Sequence, residues 1–259
     1  MANYYQSVRR TRVPHERRLW SVLWTQYAPT AFELDFTGKS WADPPLVGCP
    51  HFEPKWNQLD GAVDRRSHHS HYEVRDGFPI NPLGRTGLRL RGRLGRWGPN
   101  HAADAIVARW KQSEGRAVME CDKPVLQFVA VQRRDCGQWA IPGGMVDAGE
   151  TTDAAMRREF AEEALAGQSV AEATRVMGGE GREVFRGCVA DDPRNTDNAW
   201  METVVKVFVV REEEAAGIAL RAGDDAVGVQ WCDVSDRLEM YANHKQFIEM
   251  TARLLGAYF

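Results

Sequence analysis

In the second half of the chain, short apolar runs alternate with polar segments that are rich in turn-forming residues. Four of these runs are dominated by β-branched and aromatic residues and are bounded by polar loops, a pattern that is typical of strands. The four predicted strands are VLQFVAVQRR, VFRGCVA, METVVKVFVV and GVQWCDV.

Two further segments repeat their apolar residues with a helical period. In residues 152–166, an apolar residue recurs every four positions, at Met156, Phe160 and Ala164. In residues 243–255 the apolar stripe comprises Phe247, Ile248, Met250, Leu254 and Leu255. Strands and helices mixed in this order predict a sheet that helices cover on both faces.

The first 120 residues have a different texture. ADPPLVGCP, DGFPINPLGRTG and RWGPN each place Gly, Pro, Asn or Asp at turn-forming positions, which predicts short strands and long loops. One helix is expected near NHAADAIVARWK, where Ile106, Val107 and Trp110 follow a helical spacing. The change of texture predicts two domains, at residues 1–120 and 121–259.

The 259-residue chain has a net charge of −3, which is unevenly divided. Residues 1–120 contain 18 Lys and Arg against 12 Asp and Glu, whereas the remainder contains 15 against 24. This asymmetry suits an anionic ligand that arginines hold and metal ions process. The five cysteines are widely spaced and form no CxxC pair, which indicates reduced thiols and argues against a disulfide framework or a zinc ribbon.

Membrane insertion and nucleic-acid binding are both disfavoured. The longest apolar run, VVKVFVV, is too short to span a bilayer, and the Arg-rich segment SVRRTRVPHERR is interpreted as ordinary surface. A second basic stretch comprises Arg85, Arg89, Arg91, Arg93 and Arg96. Glycines interrupt this stretch and it has no recognition helix, so we expect its arginines to be solvated or to reach an acidic partner domain.

The most informative segment is WAIPGGMVDAGETTDAAMRREFAEEALAG. On a helix, Glu162 and Glu163 lie within roughly 60° of Glu159, so three carboxylates share one face. A hard divalent cation would relieve their repulsion, and Mg²⁺ prefers such oxygen ligands together with a substrate phosphate. Gly143 and Gly144 have no Cβ, so the backbone can bring a carbonyl close to the metal.

The spacing of this segment resembles the signature of the Nudix hydrolases, G-x5-E-x7-RE-U-x-EE, in which U is a bulky apolar residue. The matching residues are Gly144, Glu150, Arg158, Glu159, Phe160, Glu162 and Glu163. The chain departs from the pattern at Leu165, where the signature usually has Gly. We expect this departure to change how the helix ends without removing a metal ligand.

The resemblance extends over nearly the whole chain. LQFVAVQRRDCGQWAIPGGMVDAGE, LGRWGPNHAAD and DDPRNTDNAWMET resemble the mitochondrial-type ADP-ribose pyrophosphatases of this family. DRRSHHSHY, YANHK and the closing GAYF are more similar to the homologous domain at the C-terminus of the ADP-ribose-gated melastatin-type TRP cation channels.

This resemblance implies the α+β fold class, with a Nudix α/β/α sandwich and a mixed sheet behind a β- and loop-rich N-terminal cap. It implies ADP-ribose bound in the cleft between the two, and Mg²⁺-dependent hydrolysis to AMP and ribose 5-phosphate, with Mn²⁺ as the alternative ion. A channel domain would be cytoplasmic, with the rest of a tetrameric channel as its partner. A free enzyme would be mitochondrial.

Metal ligands can be assigned by transfer from the family. Glu159 and Glu163 would be the principal ligands, and Glu162 would assist through the metal or its water. The carbonyl of Gly143 would add a further oxygen. Gly144 would lie beside the bound substrate.

Two other roles in catalysis follow from the resemblance. Arg158 would pair with Glu150 and hold the turn against the helix. The general base can come from a loop outside the signature, and Asp225 of the pair Asp224 and Asp225 is one candidate. Glu162 is the other, and the sequence does not decide between them.

Substrate contacts can be assigned to two further segments. In DDPRNTDNAW, Asp192 and Arg194 are candidate contacts, because an arginine can offer a two-pronged fork to a phosphate. Asx turns in a polar loop are the alternative. Tyr241 and His244 are candidate contacts just before the last predicted helix, where capping or packing is the alternative.

Three functions remain open from the sequence. The first is ADP-ribose hydrolysis, which the intact acidic signature favours. The second is a ligand sensor within a channel, in which binding shifts a conformational equilibrium and cleavage is incidental. The third is hydrolysis of another nucleoside diphosphate derivative, because the signature recognises the diphosphate and not its substituents.

Overall fold

The structure is a computed structural model, and the chain folds as two compact units. The residues that it describes are 8–47, 49, 51–167, 169–223 and 226–259. The first unit comprises the chain up to His101 together with 147–149 and 186–203, and the second comprises 102–146, 150–185 and 204–259. The division after residue 120 stays a prediction.

The first unit contains short strands joined by turns, as its Gly- and Pro-rich sequence predicts. Its elements are a 3-10 helix at His15–Arg17, β1 (Thr30–Glu33), β2 (Leu59–Asp60), β3 (Val63–Asp64), β4 (Val74–Arg75), β5 (Phe78–Pro79) and β6 (Leu88–Gly92). β1 pairs with β6 in parallel, and β2–β3 and β4–β5 are antiparallel pairs. Most of the unit's backbone therefore runs through turns and loops.

The prediction that the arginines between residues 85 and 96 are solvated or reach a partner domain is wrong for two of them, because Arg85 and Arg91 are buried. The guanidinium of Arg85 donates to the carbonyls of Arg17 and Leu19, at 2.7 and 2.6 Å. The guanidinium of Arg91 pairs with Glu33 at 2.7 Å. Both guanidinium groups therefore donate hydrogen bonds to carbonyl or carboxylate oxygens of their own unit. A buried charge usually needs such partners, because burial removes its contact with water.

Five of the remaining strands are longer, at 7 to 13 residues, and these form most of the main sheet. The full set is β7 (Gly98–Trp110), β8 (Gln112–Ser113), β9 (Arg116–Ala117), β10 (Met119–Glu120), β11 (Lys123–Pro124), β12 (Leu126–Arg133), β13 (Trp139–Ala140), β14 (Gly143–Met145), β15 (Arg182–Cys188), β16 (Ala199–Val209) and β17 (Ala226–Asp233). The sheet runs β13-β12-β7-β16-β15, with β14 also paired to β7 and β17 to β12. All four predicted strands are present, as β12, β15, β16 and β17.

The helix expected near NHAADAIVARWK is wrong, because this segment is part of strand β7. Ala105 and Val107 pack into one apolar cluster, whereas Ile106 and Ala108 pack into another. A strand that is buried on both faces is apolar at consecutive positions, so its sequence lacks the alternation that distinguishes a strand from a buried helix.

Helices cover both faces of the sheet, and the predicted α/β/α sandwich of the α+β class is confirmed. The helices are α1 (Thr152–Ala164), α2 (Val170–Met177), α3 (Glu212–Ala216) and α4 (His244–Leu255). The apolar side chains of α1 and α2 share one cluster with Val129 and Val131, whereas those of α4 share the other with Phe128 and Ala130. Of the predicted helices, 152–166 corresponds to α1 and 243–255 to α4.

Two expectations about the chain's environment can be compared with the structure. Among the described residues, no helix is long and apolar enough to cross a bilayer. All five cysteines are described, and all are free thiols.

Candidate active site

The candidate site is built on the segment that joins β14 to α1. β14 pairs with β7 in antiparallel register, which places Gly143 opposite Asp104. α1 begins after Thr151, whose side chain accepts a hydrogen bond from Ala154 N at 3.2 Å. This cap satisfies one of the free backbone amides at the start of the helix and therefore fixes where α1 begins.

Helix α1 is anchored by the face that the four-residue spacing predicted. Met156, Phe160 and Ala164 are fully buried in the cluster beneath the helix. The three glutamates lie on other positions of the same helix and differ in exposure: the side chain of Glu159 is 14% exposed and that of Glu162 is 39% exposed. Apolar packing therefore holds the carboxylates in place.

Gly143 and Gly144 allow the carboxylates to approach the backbone of β14. A Cβ added at Gly144 would collide with the carboxylate of Glu159. A Cβ added at Gly143 would collide with Asp104 and would lie 2.7 Å from the carbonyl oxygen of Ala103. Only glycine lets the strand, the helix and the acidic groups come this close.

Arg158 connects the turn to the helix. Its Nε and Nη2 donate to the two carboxylate oxygens of Glu150 at 3.0 and 2.9 Å, which is the pairing that the family resemblance implies. Nη1 donates to Glu159 Oε1 at 2.7 Å, and Nη2 donates to the carbonyl of Met145 at 2.9 Å. Hydrogen bonding to Glu150 raises the pKa of Arg158, so this guanidinium stays charged.

The negative charges of Glu159 and Glu163 are only partly offset by neighbouring protein groups. Burial raises the pKa of Glu163 to about 8, and the neighbouring charges of Glu159 and Asp104 act in the same direction. A hydrogen bond from Gly143 N to Glu163 Oε2, at 3.2 Å, acts against this rise. Burial also raises the pKa of Glu159 in spite of Arg158, so protein groups alone do not offset the negative charge.

This donor set fits a hard divalent cation. Half-buried carboxylates with raised pKa values and like-charged neighbours are stabilised when a cation replaces their protons. The residues that could hold such an ion are Glu159, Glu163, Glu162 and the carbonyl of Gly143, as the family resemblance implies.

Sequence reasoning missed Asp104. It is a buried carboxylate on β7, opposite Gly143 in the strand register, and its charge contributes to the raised pKa of Glu163. The signal was present in NHAADAIVARWK, where one acidic residue interrupts an otherwise apolar run. The incorrect helix prediction for that run concealed it.

His244 and Tyr241 lie where β13 meets α4. The side chain of His244 accepts a hydrogen bond from Ile141 N at Nδ1, 2.9 Å away, so its proton is on Nε2. Burial lowers its pKa to about 4, and the charge of Arg133 acts in the same direction. The guanidinium of Arg133 lies 4.3 Å from the ring centroid of Tyr241. His244 is therefore a neutral group with one N–H left to donate.

Asp192 and Arg194 belong to the first unit and are paired with each other. Arg194 Nε and Nη2 donate to the two carboxylate oxygens of Asp192 at 2.9 and 2.7 Å. The fork that the sequence suggested for a phosphate is thus used on Asp192. Their assignment as substrate contacts stays a prediction. Asp224 and Asp225, one of the two predicted sources of a general base, lie outside the described residues.

Comparison with family models adds a decisive observation to this geometry. Residues 115–251, which include the whole of α1 and its glutamates, match the model of the NUDIX domain. Residues 13–98 match the model described as the NUDT9-like N-terminal domain. The chain belongs to the Nudix hydrolase family. It is thus a hydrolase, and enzymes of this family use divalent metal ions.

Three curated proteins show how much of the chain is similar to known sequences. The ADP-ribose pyrophosphatase of Rattus norvegicus mitochondria is 45% identical, over 97% of this chain and 76% of its own length. A putative nudix hydrolase 6 of Caenorhabditis elegans is 46% identical, over 94% of this chain and 90% of its own. A transient receptor potential cation channel subfamily M member-like 2 of Nematostella vectensis is 43% identical over 93% of this chain, but over 16% of its own length.

Proposed function

We propose that this chain hydrolyses the diphosphate bond of ADP-ribose to give AMP and ribose 5-phosphate, with Mg²⁺ as its metal ion. The observation that carries the proposal is the carboxylate cluster of α1, where the half-buried side chains of Glu159 and Glu163 lie against β14 with raised pKa values. The name of the 45% identical relative supports ADP-ribose as the substrate.

Each protein group has a defined part in this proposal. Glu159 and Glu163 hold the metal, and Glu162, whose side chain is the more exposed, orients the attacking water. A divalent ion held there would supply charge neutralisation of the diphosphate and a more acidic water for attack on phosphorus. Arg158 keeps Glu150, Glu159 and the β14 backbone in a fixed arrangement, as its four hydrogen bonds to these groups indicate.

Tyr241 and His244 are proposed to contact the substrate in the second unit. A neutral His244 with a protonated Nε2 donates a hydrogen bond without adding charge. Tyr241 presents a ring already stacked on Arg133. We propose the same role for Asp192 and Arg194, whose mutual pairing keeps both side chains in defined positions.

The decisive experiment is product analysis with ADP-ribose and Mg²⁺. We expect AMP and ribose 5-phosphate in equal amounts, and a loss of kcat on the order of 10³-fold in Glu163→Gln, because the neutral amide is a poor ligand for a hard cation. Glu180→Gln, which changes an exposed glutamate, is the matched control and should keep full activity. An undiminished rate in Glu163→Gln would refute the assignment of the metal ligands.

A second candidate function is ADP-ribose sensing as a domain of a cation channel, favoured by the 43% identity to the channel of Nematostella vectensis. We rank hydrolysis first because the full set of signature carboxylates is retained in the chain. Calorimetry separates the two functions. Tight binding of ADP-ribose with no product after hours with Mg²⁺ would establish sensing in place of hydrolysis, whereas product formation supports the enzyme.

A further inference from the structure

The first unit contains a cluster of two histidines and a glutamate, which are residue types that commonly bind metal ions. This cluster shares no residue with the carboxylate site of α1. His68, His101 and Glu202 each direct a potential ligand atom into this cluster, and these atoms lie within 4.8 Å of one another. His101 Nε2 is 3.7 Å from Glu202 Oε2. The two imidazole rings stack with their centroids 4.5 Å apart and their planes 19° apart.

Two nitrogen atoms of this cluster have no hydrogen-bond partner. Nε2 of His68 and Nε2 of His101 are both buried, and neither makes a hydrogen bond to any described residue. The side chain of His101 is only 9% exposed. A buried polar atom without a partner is costly, so two of them facing one carboxylate call for a physical explanation.

The hydrogen bonding of His101 leaves its Nε2 able to act as a ligand. The imidazole hydrogen-bonds to the backbone of Arg66, and this bond favours the protonated ring, as donation to a carbonyl does. Because Nε2 has no partner, the donor is Nδ1 and the lone pair is on Nε2. Histidines that bind metals commonly donate their other N–H to a carbonyl in this way.

Glu202 is held in place on one side of the cluster. Its side chain is 0% exposed, and its Oε1 accepts from Ser67 Oγ at 2.6 Å and from Trp200 Nε1 at 2.7 Å. Oε2 accepts from the backbone N of His68 at 2.5 Å. The carboxylate is thus oriented by its hydrogen bonds while Oε2 remains directed toward His101.

Protonation of the histidines does not account for the arrangement. Burial lowers the pKa of His68 to about 4, and the neighbouring His101 acts in the same direction. Burial also lowers the pKa of His101, although Glu202 and Asp64 oppose this. An imidazolium paired with the carboxylate therefore does not explain the two buried nitrogen atoms without a partner.

We propose that His68, His101 and Glu202 form a binding site for a divalent transition-metal ion, with Zn²⁺ as the expected occupant and water in the fourth position. Two imidazole nitrogens and one carboxylate oxygen form a donor set that suits Zn²⁺. With metal–ligand distances of about 2.1 Å and tetrahedral angles, two ligand atoms lie about 3.4 Å apart. The observed 3.7 Å between His101 and Glu202 needs only a small contraction.

The ion would join three segments of the first unit. His68 lies in the loop before β4, His101 lies on β7, and Glu202 lies on β16. A bound ion would stabilise this unit, because metal binding to the folded state alone adds directly to stability. This inference does not depend on the proposed hydrolytic function.

The test is a titration of the metal-stripped full chain with Co²⁺ in excess Mg²⁺, which occupies the oxygen-rich site of α1 and leaves nitrogen ligands available. We expect one equivalent of Co²⁺ to produce the strong visible absorption of a tetrahedral site, and Zn²⁺ to displace it. Zn²⁺ should also raise the unfolding temperature. Neither readout requires turnover.

Matched variants identify the ligands. His101→Gln and His68→Gln should each lose the absorption band and the thermal shift. His69→Gln and His71→Gln, which change exposed histidines of the same loop, should retain both. Equal Co²⁺ binding in His101→Gln and His71→Gln, or no tetrahedral band in the wild-type protein, would overturn the proposal.

A measurement on the wild-type chain tests the proposal even if the variants do not fold. X-ray absorption at the zinc edge of the Zn²⁺-loaded protein should show scattering from two imidazole rings. An all-oxygen environment for the bound zinc would overturn the proposal independently of any variant.

Discussion

Glu163 in the second unit and Glu202 in the first are both withdrawn from water, yet their surroundings differ. Glu202 accepts hydrogen bonds from a hydroxyl, an indole and a backbone amide. Glu163 accepts a long one from Gly143 N and has Glu159 and Asp104 as charged neighbours. Burial is thus compensated at Glu202 by donors from the protein, whereas at Glu163 the hydrogen bond from Gly143 N and the charge of Arg133 do not offset it.

This difference indicates that Glu202 contributes mainly to the stability of the fold, whereas Glu163 contributes mainly to the chemistry of its site. A buried carboxylate that is surrounded by donors contributes to the fold, and its removal leaves those donors unsatisfied. A buried carboxylate that is surrounded by other acids weakens the fold unless a cation binds, so it is retained for its chemistry.

The largest effect is expected for stability in Glu202→Gln. The amide NH₂ must face either His68 N or Trp200 Nε1, which can only donate, so a buried donor loses its acceptor and the free energy of unfolding should fall by about 3 kcal/mol. Urea denaturation in the absence of metal measures this change. In Glu163→Gln, by contrast, stability should be unchanged or higher, and a similar loss in both variants would contradict the comparison.

Gly144→Ala should reduce kcat/KM by about 100-fold, equivalent to about 2.7 kcal/mol, because the new Cβ displaces the carboxylate of Glu159. Steady-state hydrolysis of ADP-ribose measures the loss. Gly179→Ala is the matched control, since a Cβ there meets no atom within 4 Å. A variant at Gly144 with normal activity would show that Glu159 need not lie against β14.

The pH dependence of stability should identify Glu163 directly. Its folded pKa of about 8 lies above the ordinary value of 4.5, so between these values the folded protein binds more protons than the unfolded chain. Stability of the metal-free protein therefore falls as pH rises through this window, by roughly 2 kcal/mol. Denaturant titrations at pH 5 and pH 8 should show this loss in the wild-type chain and a smaller one in Glu163→Gln. Saturating Mg²⁺ should reduce the difference.

Arg158→Lys should cost about tenfold in kcat/KM, or about 1.4 kcal/mol, with little change in stability. Lysine keeps the charge but cannot make the paired hydrogen bonds to Glu150 while also reaching Glu159. Arg175→Lys, on the exposed surface of α2, is the control. An unaffected Arg158→Lys would mean that charge alone, without the fork geometry, suffices at this position.

Local features of the site were predictable from the sequence. The anchoring face of α1, and the pairing of Arg158 with Glu150 that the family resemblance implies, depend on residues within one turn and one helix. The acidic interruption at Asp104 was visible in the sequence, but its place opposite Gly143 was not, because that depends on the register of β7 with β14. The burial of Arg91 also depends on partners far away along the chain, such as Glu33.

Strand β14 has consequences for where the chain tolerates changes of length. It is three residues long, Pro142 precedes it without an N–H to pair in a shifted alignment, and the carbonyl of Pro142 accepts from Ala105 N. An insertion or deletion between Ile141 and Glu163 would move the acidic groups out of alignment. The exposed hairpins β8–β9 and β10–β11 carry no such constraint, so a fluorophore or an affinity tag belongs there.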